Sequence, residues 1–110
     1  MLEDLSSIVE IRTTFGSRAD AEACASGLVT RRLAACVQID GPVRSTYRWQ
    51  GMVETADECR CVCKTTHERL PECLEALARG HTYQTPELIV VEVSASAGYA
   101  DWVRASVAAE

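Results

Sequence analysis

Alternation of apolar and polar residues predicts four extended segments in this chain. In the first, every second residue from Val9 to Phe15 is apolar or a threonine, so one face should be buried. A two-residue turn at Gln50 and Gly51 should join the second segment to the third. The four segments are Ile8–Phe15, Ala34–Trp49 with a break at Gly41 and Pro42, Met52–Thr65 and Leu88–Val93.

A helical period of apolar residues predicts one helix after the first strand and another after the third. Both have apolar residues at positions i, i+3, i+4 and i+7. Ser17 and Asp20 have the spacing of a capping box, and Gly80 should stop the second helix. A short helix should follow the last strand. The three helix faces contain Ala21, Cys24, Ala25 and Leu28; Leu70, Cys73, Leu74 and Leu77; and Tyr99, Trp102, Val103 and Ser106.

The predicted order of elements is β-α-β-β-α-β followed by a helix. This order defines an α+β, ferredoxin-like sandwich, with an antiparallel four-stranded sheet and two helices on one of its faces. The hairpin of the second and third strands is long for so small a protein, and its far part should reach beyond the core of its own subunit. No linker interrupts residues 1–110, so we expect a single domain.

Charge and composition exclude two classes of partner. The formal net charge is −5 and the basic residues are scattered, with only Arg31 and Arg32 adjacent, so we expect no nucleic acid. We expect no membrane either, because no apolar stretch approaches the roughly 20 residues of a spanning helix. The amino terminus lacks the basic start and apolar run of a secretion signal, which predicts a cytoplasmic protein.

Six cysteines in a cytoplasmic protein should be reduced thiols. Cys59, Cys61 and Cys63 recur at the period of a strand and should share one face; a thiolate cluster is conceivable, but core packing is the favoured interpretation. Cys24 and Cys73 fall on the apolar faces of the two helices, which packing also explains. For the remaining cysteine, Cys36, packing and metal binding both stay open.

Several segments, in this order and at this spacing, resemble the CutA family over about Ile8 to Val107. The most specific are a Tyr-x-Trp-x-Gly hairpin and a His-x-Tyr-x-x-Pro-Glu segment. The similar segments are LAACVQI (Leu33–Ile39), STYRWQG (Ser45–Gly51), Glu54, KTT (Lys64–Thr66) and HTYQTPEL (His81–Leu88).

The resemblance implies a homotrimer in which long hairpins pair with neighbouring subunits, and a link to tolerance of copper and other divalent metal ions. A trimer would also bury Tyr47 and Trp49, which a lone sheet edge would expose. Copper binding in the family is associated with a thiol on the first strand and adjacent histidines after the second helix. Here the corresponding positions hold Arg12 and Gly80, and only His81 remains.

The candidate metal ligands are therefore His81 and Cys36. Cys36 could be a soft ligand for copper, a redox-active thiol or a buried small side chain.

A second set of candidates surrounds Pro86. Tyr83 and Glu87 lie in a short connection that could present polar groups to a ligand. Lys64, at the end of the third strand, could hold a small anion or pair with Glu87. The same residues could instead build a subunit junction, with His81 only ending the helix, and His67 is expected to be a solvated residue.

Three functional classes can be compared on these features. The leading hypothesis is a trimeric protein that binds copper or another divalent cation and contributes to the response to metal ions. The alternative is a signalling module that resembles the PII proteins and binds a small effector in clefts between subunits. An enzyme with Cys36 as nucleophile and His81 as base is not expected, because no orienting acid or oxyanion hole lies at motif spacing.

Overall fold

The computed structural model describes residues 4–109. In this range it contains a four-stranded sheet and three helices. Their bounds are β1 Leu5–Phe15, α1 Arg18–Thr30, β2 Cys36–Trp49, β3 Met52–Thr65, α2 Leu70–Gly80, β4 Ile89–Ser96 and α3 Ala97–Val107. The predicted order of elements, and with it the ferredoxin-like α+β class, is confirmed.

The sheet has the strand order β2-β3-β1-β4, and each neighbouring pair is antiparallel. The central strand β1 pairs with β3 from Val9↔Thr65 to Phe15↔Cys59. It pairs with β4 only from Leu5↔Ser96 to Arg12↔Ile89. The last three residues of β1 therefore have a sheet neighbour on one side only.

Both faces of the sheet are covered. On one face, Ile11 and Phe15 of β1 pack with α1 and α2 in a core that includes Leu77. On the other face, Ile8 packs with α3 around Val103. The sequence pattern predicted the first of these cores, whereas the placement of α3 on the opposite face became clear only from the structure.

The main differences from the predicted elements are at breaks and ends. Strand β2 continues through Gly41 and Pro42 as one strand with an irregularity between Asp40 and Val43. Gly41 has φ +149°, and a Cβ there would lie 2.9 Å from the Glu58 carbonyl oxygen, so glycine is required by the close approach of β3. Gly80 is the last residue of α2, and the positive-φ residues do not include it.

The β2–β3 hairpin carries apolar side chains into solvent. Its turn has positive φ at Gln50 and Gly51, as predicted for a two-residue connection. Around this turn the exposed fractions are 38% for Trp49, 65% for Met52 and 64% for Val53. The hairpin therefore extends the protein to 47 Å along its longest axis without burying its own tip.

In the described part of the chain, none of the helices has the length and apolarity needed to cross a membrane. All six cysteines are free thiols.

Leu77 tests the core beneath α2. Its side chain is 2% exposed, so replacement by alanine should leave a cavity and lower the free energy of unfolding by about 2–5 kcal/mol. Val29→Ala on the exposed side of α1 should cost less than about 1 kcal/mol. Urea denaturation of both variants measures the difference, and equal losses would contradict the assigned core.

Candidate functional site

A cleft of about 790 Å³ lies between the β2–β3 hairpin and the segment that follows α2. One wall is formed by hairpin residues and the other by residues 82–87. Hydroxyl groups, carboxylates and aromatic rings share the surface. The lining residues are Thr14, Ser45, Thr46, Tyr47, Trp49, Glu54, Glu58, Thr82, Tyr83, Gln84, Thr85, Pro86 and Glu87.

His81 holds the start of the segment against the free end of β1. Its ring stacks on Phe15 with centroids 4.3 Å apart and an angle of 10° between the planes. Nδ1 accepts a hydrogen bond of 3.0 Å from the Tyr83 backbone N–H. Nδ1 is therefore unprotonated, and Nε2 is left to donate across 3.1 Å to the Thr13 hydroxyl.

Partial burial of this imidazole affects its protonation. Desolvation lowers the pKa of His81, and the opposing effects of the Thr14 backbone, Asp20 and Glu58 do not restore it. Both ring nitrogens of a neutral His81 are thus engaged inside the protein. The side chain positions Tyr83, and metal coordination by it would first break one of these hydrogen bonds.

Tyr83 links residues 82–87 to β3. Its hydroxyl donates a 2.7 Å hydrogen bond to Glu58 Oε2. Burial and the adjacent Glu58 raise the pKa of Tyr83, so this phenol stays protonated. Burial would also raise the pKa of Glu58, but hydrogen bonds from Ser45, Tyr83 and Thr14 outweigh it and lower that pKa. Glu58 is therefore a carboxylate at neutral pH.

The cleft is lined by negative charge. It contains the carboxyl groups of Glu54, Glu58 and Glu87, and no lysine, arginine or histidine is among the lining residues in the described range. Arg60 interacts electrostatically with Glu87 but forms a 3.0 Å ion pair with Asp40. This lining favours a cationic ligand over an anion.

The predicted site residues divide between the two faces of the sheet. His81 reaches Thr13, which pairs with the buried Cys61 on the side of α1 and α2. Lys64 pairs with both Glu10 and Cys36, on the opposite side. Alternation along the strands therefore separates Cys36 from His81 within one protomer.

Lys64 also lies apart from the cleft. Its Nζ is 5.4 Å from the centre of the Tyr99 ring of α3, a cation–π arrangement. Within residues 4–109 it forms no ion pair with Glu87, so the pairing considered from the sequence is not found. Of the predicted cofactor-binding residues, Tyr83 and Glu87 share the cleft and Lys64 does not.

Sequence reasoning missed the contribution of Glu58. It is 25 residues from Tyr83 along the chain, and no local pattern signals their hydrogen bond. The structure places Glu58 beside the strand irregularity at Gly41, a position that depends on the register of β2 with β3.

Most of the cysteines belong to the core. Cys61, Cys63 and Cys73 are fully buried, and Cys24 and Cys59 pack against the same cluster. Burial raises the pKa of Cys61 and of Cys73 to about 11, so both remain thiols at neutral pH. This agrees with packing as the interpretation of these positions and makes them poor metal ligands, because a thiolate is required.

The partly buried imidazole of His81 predicts a pH dependence of stability. Its pKa in the folded protein lies below the unfolded value of about 6.5, so its contribution to stability is present above pH 6.5 and is lost as the pH falls towards the folded pKa. NMR titration of the ring should give a midpoint below 6.5. The His67→Ala variant leaves one imidazole and makes the assignment unambiguous; a midpoint above 6.5 would contradict the described burial.

Comparison with known proteins places this architecture in one family. A model of the CutA1 divalent ion tolerance protein matches residues 9–106. The divalent-cation tolerance protein CutA of Thermus thermophilus is 37% identical over 92 residues, which are 83% of this chain and 89% of that protein. The crystal structure of CutA from Xylella fastidiosa is 35% identical with a TM-score of 0.89, over 94% of this chain and all of that one. The structure of CutA from Synechococcus elongatus is 34% identical with a TM-score of 0.90, over 97% of this chain and 98% of that one. This chain belongs to the CutA1 divalent ion tolerance family.

Proposed function

We propose that this protein is a cytoplasmic homotrimer that binds divalent metal ions and so contributes to the response of the cell to them. The observation that carries the proposal is the cleft with carboxylates and without basic side chains. Membership of a divalent ion tolerance family supports the same class of ligand. The proposal assigns no catalytic step.

The exposed hairpin supports assembly. Strands β2 and β4 are the two edges of the sheet, and their outer backbone groups have no strand partner in the described protomer. Apolar side chains lie along both edges, including Tyr47 and Trp49 on β2 and Ile89 and Val90 on β4. Pairing of one edge with the other edge of a neighbouring copy would cover both, and a cyclic trimer closes such a head-to-tail contact.

The residues of one protomer do not form a complete metal centre. Among residues 4–109 no group of three or more histidine, cysteine or acidic side chains converges on one point. A cation in the cleft would therefore take one or two carboxylates, such as that of Glu87, and complete its coordination with water or a neighbouring subunit. Cys36 remains a candidate soft ligand on the other face of the sheet.

A second function is favoured by the size of the cleft. A volume of about 790 Å³ lies in the range of small-molecule pockets, and Tyr47, Trp49 and Tyr83 supply ring surfaces. A small effector bound between subunits, as in PII-like signalling modules, would use such a surface. The carboxylates favour an effector with positive charge over a nucleotide.

Assembly through the hairpin can be tested with a matched pair of valines. Sedimentation equilibrium of the wild type should give three times the 12.0 kDa mass of one chain. Val53→Ser, at a site 64% exposed in the protomer, should weaken the trimer, whereas Val29→Ser on α1, 43% exposed, should not. A folded, stable monomer at low micromolar concentration would refute the proposed assembly.

Cation binding by the cleft can be tested at Glu87. Calorimetric titration with Mn²⁺, Zn²⁺ and Cu²⁺ should show weaker binding for Glu87→Gln by about tenfold, because one carboxylate ligand is lost. Glu22→Gln on α1 removes the same charge from an exposed helix and serves as the control. Equal affinities in both variants would show that the cleft does not bind the metal ions. Stabilisation of the protein by a small amine, but by none of the metals, would favour the effector.

A further inference from the structure

Three polar side chains meet on the sheet face that carries α1 and α2. Ser7 Oγ lies 3.1 Å from His67 Nε2 and 3.1 Å from Glu92 Oε1. The nitrogen and the carboxylate oxygen are 3.7 Å apart. The three residues come from three different elements, so this cluster is a product of the fold.

The positions of the three side chains follow from the pairing of β1 with β4 and from the turn after β3. Ser7 and Glu92 lie on adjacent strands, where the register pairs Val9 with Glu92. His67 lies in the turn between β3 and α2. The Thr66 hydroxyl accepts a 3.2 Å hydrogen bond from the Arg69 backbone N–H, which stabilises the shape of that turn.

Hydrogen bonding determines the protonation of the cluster. The Ser7 hydroxyl donates its one proton to Glu92, so it must accept from the N–H at Nε2 of His67. In the described residues no lysine or arginine pairs with Glu92. Arg69, two residues from His67, is engaged instead by the Arg32 carbonyl and by Glu72.

The chain has two histidines, of which His67 is exposed and His81 is partly buried. Both ring nitrogens of His81 are bonded inside the protein. The side chain of His67 is 50% exposed and that of its neighbour Glu92 is 69% exposed. A metal ion in water can therefore reach the imidazole of His67 together with a carboxylate, without opening the core.

The spacing of these two groups suits a transition metal. Nitrogen and oxygen ligands about 2.1 Å from a tetrahedral ion lie about 3.4 Å apart, so the observed 3.7 Å needs only a small side-chain rotation. We propose that His67 Nε2 and Glu92 form a surface site for Zn²⁺ or Cu²⁺, with water completing the coordination. In that complex the imidazole proton moves to Nδ1 and the surface hydrogen bond from Nε2 to Ser7 is lost, while Ser7 still donates to Glu92 and positions the carboxylate.

This site is separate from the acidic cleft and extends the proposed function to a second location. Because imidazole prefers transition metals, Mg²⁺ and Ca²⁺ should not bind there.

Calorimetric titration of the full-length protein with zinc chloride tests the site. His67→Ala should weaken one binding event by more than about tenfold, and Glu92→Gln by about tenfold. Glu68→Gln removes the same charge next to His67 and should have no effect. Unchanged zinc binding in His67→Ala, or equal losses in Glu68→Gln and Glu92→Gln, would overturn the assignment.

Copper supplies an independent measurement. Substoichiometric Cu²⁺ should broaden the NMR signals of the His67 ring first and leave those of His81 sharp; the reverse order would overturn the proposal.

Glu87→Gln distinguishes the His67 site from the proposed metal site in the cleft. Loss of zinc binding in Glu87→Gln alone would retain the cleft and reject the His67 site, loss in His67→Ala alone would do the opposite, and absence of binding by the wild type would reject both.

Discussion

Burial of strand β1 on both faces is the constraint on which the rest of this structure depends. Ile11 and Phe15 lie beneath α1 and α2, while Ile8 lies beneath α3. A shift of one residue in register would exchange the two faces and bury charged groups such as Glu10. The registers with β3 and β4 are therefore strongly determined, and they in turn place the strand side chains of the candidate sites.

The short pairing of β4 with β1 creates the position of the cleft. Since this pairing ends at Arg12, the edge of β1 beyond it is free for the chain that follows α2. His81 bonds to Thr13 there, and Tyr83 reaches Glu58 on β3. These contacts hold residues 82–87 as a wall opposite the hairpin, and burial keeps the imidazole neutral while hydrogen bonds keep Glu58 ionised.

The two histidines show how the same side chain serves different purposes. His81 begins the His-x-Tyr-x-x-Pro-Glu segment, and its ring nitrogens bond to a backbone N–H and a hydroxyl. His67 lies in an ordinary turn but is exposed beside Glu92, with Ser7 between them. It was expected to be a solvated residue, and its contacts with two strands are a finding of the structure. For metal binding, solvent access to a ring nitrogen beside a second ligand matters more than position in a motif.

Local pattern in the sequence was sufficient for the elements and their order, because side-chain periods of 2 and 3.6 report directly on strands and helices. The Gln50–Gly51 turn and the core positions of Cys61, Cys63 and Cys73 could be predicted for the same reason. Resemblance of the Tyr-x-Trp-x-Gly and His-x-Tyr-x-x-Pro-Glu segments was sufficient for the family.

Tertiary structure decided which residues meet. Cys36 and His81 are separated by the sheet, and Lys64 packs on Tyr99 away from Glu87. Tyr83 bonds to Glu58, and His67 meets Ser7 and Glu92, across 25 to 60 residues of chain. The sequence by itself determined what each segment becomes, because that depends on neighbours along the chain. It could not determine these contacts, because they depend on strand register and on the face that each helix covers.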